Sequence, residues 1–254
     1  MKRIVTAAIG IPLVIAVTLY SPPWLFALVV AVFAGLGFHE LTTMGVARMN
    51  TRHGAWPSLA AAAVTASFIG DSKWVLTMTA AAFLFCLLVM TFEGSIDNML
   101  PSISLTALGL VYCGVLLGFL VWLTPHHAVF VLMGTIWAGD AAAYYGGRAV
   151  GRHKLAVTIS PNKTVEGSIS GLIASTIAGV GLGVWLLGLS MPFLAVASLA
   201  TATAGQLGDL AESALKRSAG VKDSSSLLPG HGGVLDRLDS LLFAAPVFYW
   251  FMHS

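Results

Sequence analysis

Nine long apolar runs separated by short breakers constrain this chain more than any other feature. They fall at roughly 4–20, 24–47, 55–70, 74–92, 100–123, 128–147, 167–189, 192–214 and 240–253. A bilayer core takes about 20 apolar residues per helix. The runs are continuously apolar rather than alternating, which argues for helices over a barrel. Only 9% of the residues are charged and 57% are hydrophobic, whereas a soluble globule carries about a quarter charged residues. The expected fold class is therefore an all-α polytopic integral membrane protein with about nine transmembrane helices. "TLYSPPW" after the first run offers no small-x-small cleavage site, so an uncleaved first span is expected.

The loops orient these spans. With the N-terminus in the cytoplasm, twelve cations fall on the cytoplasmic side: Lys2, Arg3, Arg48, Arg52, Arg148, Arg152, Lys154, Lys163, Lys216, Arg217, Lys222 and Arg237. Only Lys73 falls on the other side, a strong positive-inside bias. The two long connections, about 148–166 and 215–239, are both cytoplasmic in this arrangement. A single membrane domain over 1–254 is expected, with 1–130 as lipid-facing scaffold and 131–254 carrying the chemistry. The net charge of +2 gives no reason to expect nucleic-acid binding. Cys86 and Cys113 lie in apolar runs and read as buried free thiols. Glycines four apart, Gly167/Gly171 and Gly179/Gly183, mark close helix packing. Gly147 and Gly151 flank Arg148 and read either as packing or as a functional turn.

Against this background, nine of the 24 charged residues fall between Asp209 and Asp239. Asp209, Glu212 and Lys216 follow i, i+3, i+7 spacing on one helix face, and Asp236 and Asp239 stand three apart where the last span begins. Carboxylates from two helix ends converging at the cytoplasmic membrane edge would hold a hard cation such as Mg²⁺, which keeps waters and binds substrate phosphates. Lysines and arginines would neutralise the remaining phosphate oxygens. The glycines of "PGHGG" (Gly230, Gly232, Gly233) permit positive φ or close backbone approach. "SPNKTVEG", 160–167, adds Ser160, Lys163 and Thr164 at a helix start suited to anionic oxygens, although Thr-x-Glu there is also an ordinary cap. The charged segment thus reads as a metal–polyphosphate site. His39-Glu40 reads as an interfacial pair, and His126-His127 as a solvated outer loop.

These residues also carry a family resemblance. "SALKRSAGVKDSSSLLPGHGGVLDRLD", 213–239, resembles the signature of the phosphatidate cytidylyltransferases. Ser213, Lys216, Arg217, Lys222, Asp223, Pro229, His231, Gly232, Gly233, Asp236, Arg237 and Asp239 fill its fixed positions. "DAAAYYGGRAVGRHK", from Asp140, and "SPNKTVEG" look like that family's other two motifs, so the resemblance covers about 140–239. It implies transfer of the cytidylyl group of CTP to phosphatidate, with CDP-diacylglycerol and pyrophosphate as products.

The resemblance implies roles as well. Asp209 and Asp236 come first as metal ligands, followed by Asp239 and Asp223, for Mg²⁺ with room for a second cation. Lys216, Arg217, Lys222 and Arg237 would contact CTP phosphates or the lipid headgroup, joined by Lys163. His231 would donate to a phosphate oxygen or cap the glycine-rich turn. Asp140 would orient a cation or the cytosine, or make a helix-packing hydrogen bond. Tyr144 and Tyr145 read as packing or interfacial belt. Partners implied are CTP, phosphatidate and membrane lipid, with small-residue faces leaving room for a homodimer, in a bacterial cytoplasmic (inner) membrane. Two alternatives stay open: a related CTP-dependent lipid transferase or kinase with another acceptor, and an ion-coupled transporter.

Overall fold

The computed structural model describes residues 2–45, 55–93, 96–123, 125–227, 230 and 232–254. Each of the nine apolar runs forms helix. The elements are α1 (Lys2–Tyr20), α2 (Pro23–Gly45), α3 (Ala55–Ala66), α4 (Ser72–Glu93), α5 (Met99–Gly109), α6 (Leu116–Trp122), α7 (His127–Val150), α8 (Val165–Leu187), α9 (Met191–Ser218) and α10 (Leu235–Met252). The fifth run is shared by α5 and α6, joined through a π-helical stretch at Leu110–Val115. There the Thr65 hydroxyl from α3 donates to the Gly114 carbonyl at 2.9 Å, compensating a ladder that a π-segment loosens. Among the described residues, five stretches are long and apolar enough to cross a bilayer: Pro23–Met44, Ser72–Phe92, Ile96–Trp122, His127–Val150 and Val165–Leu187. The chain is a multi-pass, all-α membrane protein.

Several boundaries differ from the apolar runs, and each difference has a local cause. Helix α7 continues through Gly147 and Arg148 to Val150, ending where the Gly151 N–H donates to the Gly147 carbonyl at 3.1 Å. The 148–166 connection then forms a small antiparallel hairpin, β1 (Lys154–Ala156) and β2 (Ser160–Thr164), which hydropathy alone did not announce. Helix α9 carries Lys216 and Arg217 in its last turn, where cations favour the helix dipole. Helix α10 begins at Leu235, so Asp236 lies in its first turn and Asp239 is helical.

The elements form two compact units. One comprises Met1–Trp122 with Ser218–Leu238. Its core brings together Phe38 on α2, Phe68 after α3 and Leu117 on α6, all buried. Gly109 and Gly118 leave room for the rings of Phe38 and Phe68 respectively. Cys86 and Cys113 are free and buried here, as expected.

The other unit comprises Leu123–Arg217 with Asp239–Ser254, and a seam between α7 and α8 organises it. Gly167, Gly171, Ser175, Gly179 and Gly183 are the buried residues of α8, a stripe of small residues every four positions. It lets the helices approach until the Ser175 hydroxyl donates to the Thr135 carbonyl at 2.8 Å. Ile169, Ile173 and Ile177, on another face of α8, are more than half exposed, as expected of a helix with one side on its neighbour and the other on lipid. The glycine spacing therefore marks packing, and Gly147 joins it by resting against Gly167.

One substitution pair tests this seam. A Cβ on Gly167 would lie 2.7 Å from the Ala143 carbonyl oxygen, whereas one on Gly181 would meet nothing within 4 Å. Gly167→Ala should cost about 1–3 kcal/mol and lower the thermal midpoint in detergent, while Gly181→Ala leaves it unchanged or slightly higher. Equal midpoints for the two variants would contradict the packing role.

Candidate active site

The acidic and basic residues singled out in the sequence occupy two settings, one in each unit. In the unit containing α7 to α9, the Lys163 ammonium on β2 meets the Asp209 carboxylate on α9 at 2.5 Å, both side chains 29% exposed. Lys163 reaches α9 because Thr164 ends the strand as the N-cap of α8, accepting from the Gly167 N–H at 3.1 Å. The Thr164 hydroxyl is thereby committed to a cap and its side chain is buried. Glu166, in the first turn of α8, fixes the hairpin's other end. It accepts from the Arg152 N–H at 3.0 Å and pairs with His153 Nδ1 at 2.6 Å.

Farther along α9, Glu212 is fully buried and ion-pairs with Lys216 one turn on. The shared face of Asp209, Glu212 and Lys216 expected from spacing is thus formed, and both acids have a cationic partner. Asp239 stands one residue ahead of the apolar run 240–253 and accepts from the Ser240 N–H at 2.7 Å. Burial and the neighbouring Asp209 carboxylate push its pKa up to about 7, with Asp140 adding to the rise and Lys216 opposing it. Asp140, Asp209 and Asp239 therefore share one electrostatic environment, together with Lys163 and Lys216. Asp140 is exposed on α7, and Ser160 is half-buried at the start of β2. The exposed Arg217 donates from Nε to the Ile159 carbonyl at 3.3 Å. Tyr144 and Tyr145 are exposed and meet edge-to-face.

In the unit containing α1 to α6, the polar setting is a loop held on a buried carboxylate. Glu40 on α2 is 3% exposed and accepts four hydrogen bonds. Ser225 Oγ (2.6 Å) and the Val234 N–H (2.9 Å) reach Oε1, while Ser224 Oγ and the Leu235 N–H (both 2.8 Å) reach Oε2. Asp236 Oδ2 accepts from the Gly233 N–H at 2.7 Å and from the Ser224 N–H at 3.0 Å, with the Ser224 hydroxyl, whose one hydrogen lies between the two acids, also 3.0 Å away. These two acids take up amides that the N-terminus of α10 would otherwise leave unpaired. Gly230 and Gly232 have φ of 79° and 80°, and a Cβ on Gly233 would strike Ser224 and Glu40. The glycines of "PGHGG" therefore serve both positive φ and close approach. Lys222, Asp223 and Arg237 are exposed around this loop. His231 lies outside the described residues.

Glu40 is what the sequence reading underrated. The expected interfacial pair is split: His39 is exposed and Glu40 is buried. The available signal was a lone carboxylate inside the apolar run 24–47, since an ionisable group in such a run needs a partner. Its partners lie about 190 residues away, chiefly backbone amides and serines, which no local pattern announces.

Similarity to known proteins accords with the site. The cytidylyltransferase family pattern matches residues 1–254. The chain belongs to that family. A phosphatidate cytidylyltransferase of Staphylococcus saprophyticus is 45% identical over 123 residues, covering 48% of this chain and 47% of the relative. One of Haemophilus influenzae is 45% identical over 135 residues, covering 50% and 47%. Another, of a Synechocystis species, is 34% identical over 291 residues, covering 99% and 96%. The chain thus spans about half the length of the first two relatives and nearly all of the third.

The Glu212–Lys216 pair makes a direct prediction. Lys216→Met strands a buried carboxylate, which should cost about 3–5 kcal/mol and lower the thermal midpoint in detergent. The double variant Glu212→Leu with Lys216→Met should regain most of that loss. A double variant no more stable than the single one would contradict the pairing.

Proposed function

We propose that this chain catalyses attack of the phosphatidate phosphate on the α-phosphorus of CTP, giving CDP-diacylglycerol and pyrophosphate at the cytoplasmic edge of a bacterial inner membrane. The observation that carries the reading is the meeting of Lys163 with Asp209 beside Asp239. It brings the hairpin motif and the acidic helix ends into one environment with both signs of charge. Relatives named phosphatidate cytidylyltransferase, one matched over nearly its full length, support the same substrates. The lysines and arginines of the 148–166 and 215–239 connections support a cytoplasmic N-terminus and a site on that side.

The donor set fits a hard divalent cation such as Mg²⁺. Beyond the rise that burial imposes on Asp239, Asp209 and Asp140 add to it by their proximity, and a cation would relieve that repulsion. Among the described residues, no three His, Cys, Asp or Glu side chains already surround a common point. An ion here would therefore share its coordination with waters and substrate phosphates, as Mg²⁺ commonly does. Asp209 and Asp239 would hold it in this unit, and Asp236 and Asp223, in the other unit, are proposed as cation ligands on the motif resemblance alone. When bound, it would neutralise charge growing on the leaving pyrophosphate.

The chain's own residues supply the rest. The lipid phosphate is already anionic near neutral pH, so the protein needs no base to generate the nucleophile. Its work is to hold two mutually repelling anions in line. Lys216, Arg217, Lys222 and Arg237 bind phosphate oxygens of either substrate, and Lys163 joins them. The bond between the lipid phosphate oxygen and the α-phosphorus forms as the bond to pyrophosphate breaks, and the electron pair leaves with pyrophosphate. No covalent protein intermediate is required.

Purified protein in detergent with phosphatidate, Mg²⁺ and α-labelled CTP should transfer label into the lipid phase. ATP, GTP and UTP should not replace CTP, and chelation should stop transfer. Folded protein that labels no lipid with any nucleotide would contradict the assignment and favour transport. Asp236→Asn should insert normally but lose turnover by roughly 100-fold or more, and Lys73→Ala should match the wild type. Wild-type turnover in Asp236→Asn would remove that residue from the site.

A further inference from the structure

Glu40 has no place in the mechanism above, yet it accepts hydrogen bonds from four residues of the 222–238 segment. Its four donors divide evenly, two on each oxygen, and come from two points ten residues apart: Ser224 with Ser225, and Val234 with Leu235. The carboxylate therefore ties Ser224 and Ser225 to the start of α10. Ser224 also faces Asp236. Its hydroxyl stands 2.8 Å from Glu40 Oε2 and 3.0 Å from Asp236 Oδ2, and its N–H donates to the same Oδ2 at 3.0 Å. Glu40, Ser224 and Asp236 thus form one connected chain of hydrogen bonds. Gly233 is buried beside it, where a Cβ would collide with both Ser224 and Glu40. An amide in place of the carboxylate could not reproduce this pattern, because either flip of the group would turn its NH2 toward a backbone N–H, of Val234 or Leu235, that cannot accept.

We propose that Glu40 is a positioning residue for the cytidylyl-transfer reaction. Through Ser224 it fixes the orientation of Asp236, and through Val234 and Leu235 it fixes the start of α10, where the Asp236 carboxylate is set. The proposal rests on the reading of Asp236 as a cation-holding residue. Outer partners of ligating carboxylates typically change metal affinity or activity by about 10–100-fold when replaced. On this account an α2 residue, from a region the sequence assigns to scaffold, is part of the site's apparatus.

The test compares wild type with Glu40→Gln, Glu40→Asp, Ser224→Ala and Asp236→Asn in detergent. Two readouts are followed: the Mg²⁺ concentration giving half-maximal transfer, and hydrogen exchange over 222–238 without nucleotide or Mg²⁺. In Glu40→Gln the Mg²⁺ midpoint should rise by about 10-fold or more, and exchange should quicken over 222–238 while α7 and α8 keep wild-type protection. Glu40→Asp keeps the charge but withdraws it by one methylene, so it should fall between wild type and Glu40→Gln. Ser224→Ala should raise the midpoint in the same direction, and it decides the matter if Glu40→Gln is not recovered folded. A wild-type Mg²⁺ midpoint in folded Glu40→Gln, or in Ser224→Ala where that variant decides, would overturn the proposal. So would a loss of protection spread evenly over the protein, which marks a general stabiliser. These failures are separable from failure of the parent reading. An inactive Asp236→Asn beside a wild-type-like Glu40→Gln refutes the positioning role alone, whereas a fully active Asp236→Asn refutes the metal-ligand reading itself.

Discussion

A carboxylate buried among apolar helices must find hydrogen-bond donors, and in this protein that requirement shapes the charged loop. Glu40 is buried on α2, a helix whose other buried residues include Phe38 and Leu41. Burying such a group without partners costs several kcal/mol. The donors come from the far end of the sequence: two serine hydroxyls and the first amides of α10. Once they are in place, Ser224 and Leu235 are pinned to one carboxylate, Gly232 takes a positive φ where a side chain would meet Asp236, and Asp236 is held by Gly233 and Ser224.

The other unit solves a related problem by a different route. Its acids are matched by lysines: Asp209 by Lys163 and Glu212 by Lys216. What brings Lys163 to α9 is the close α7–α8 seam, because Thr164 and Gly167 set where β2 ends and α8 starts. Small residues with no chemistry of their own thus decide where the Lys163 ammonium stands. Burial first, and then the neighbouring Asp209 and Asp140 carboxylates, push the pKa of Asp239 upward. Substrate phosphates and their counterion are the natural complement to such a mixture of charges.

Much of this was legible in the sequence because it depends on local pattern. The nine apolar runs became helices and the glycine spacing of 167–183 became a packing stripe, whereas the ion pairing of Asp209 with Lys163 and of Glu212 with Lys216 was not foreseen, because the charges there were assigned to a metal and phosphates. The motif residues identified the family that the whole-chain match then established. What escaped was non-local or energetically marginal. The β1–β2 hairpin has strands of three and five residues, too short for a periodic signal. The ends of α7, α9 and α10 lie beyond their apolar runs because caps and charge, not hydropathy, set them. Glu40 escaped because its partners are chiefly backbone amides and serines, residue types that any segment could supply.

The account treats the chain as a device that positions two anions and stabilises a leaving group, with no protein nucleophile. That claim is tested most directly by the stereochemical course at phosphorus. CTP carrying a chiral sulfur-substituted α-phosphate would be reacted with phosphatidate, and the configuration of the nucleotidyl lipid determined. A single in-line displacement predicts inversion. Retention would mean two successive displacements through a cytidylylated side chain, and would contradict the account.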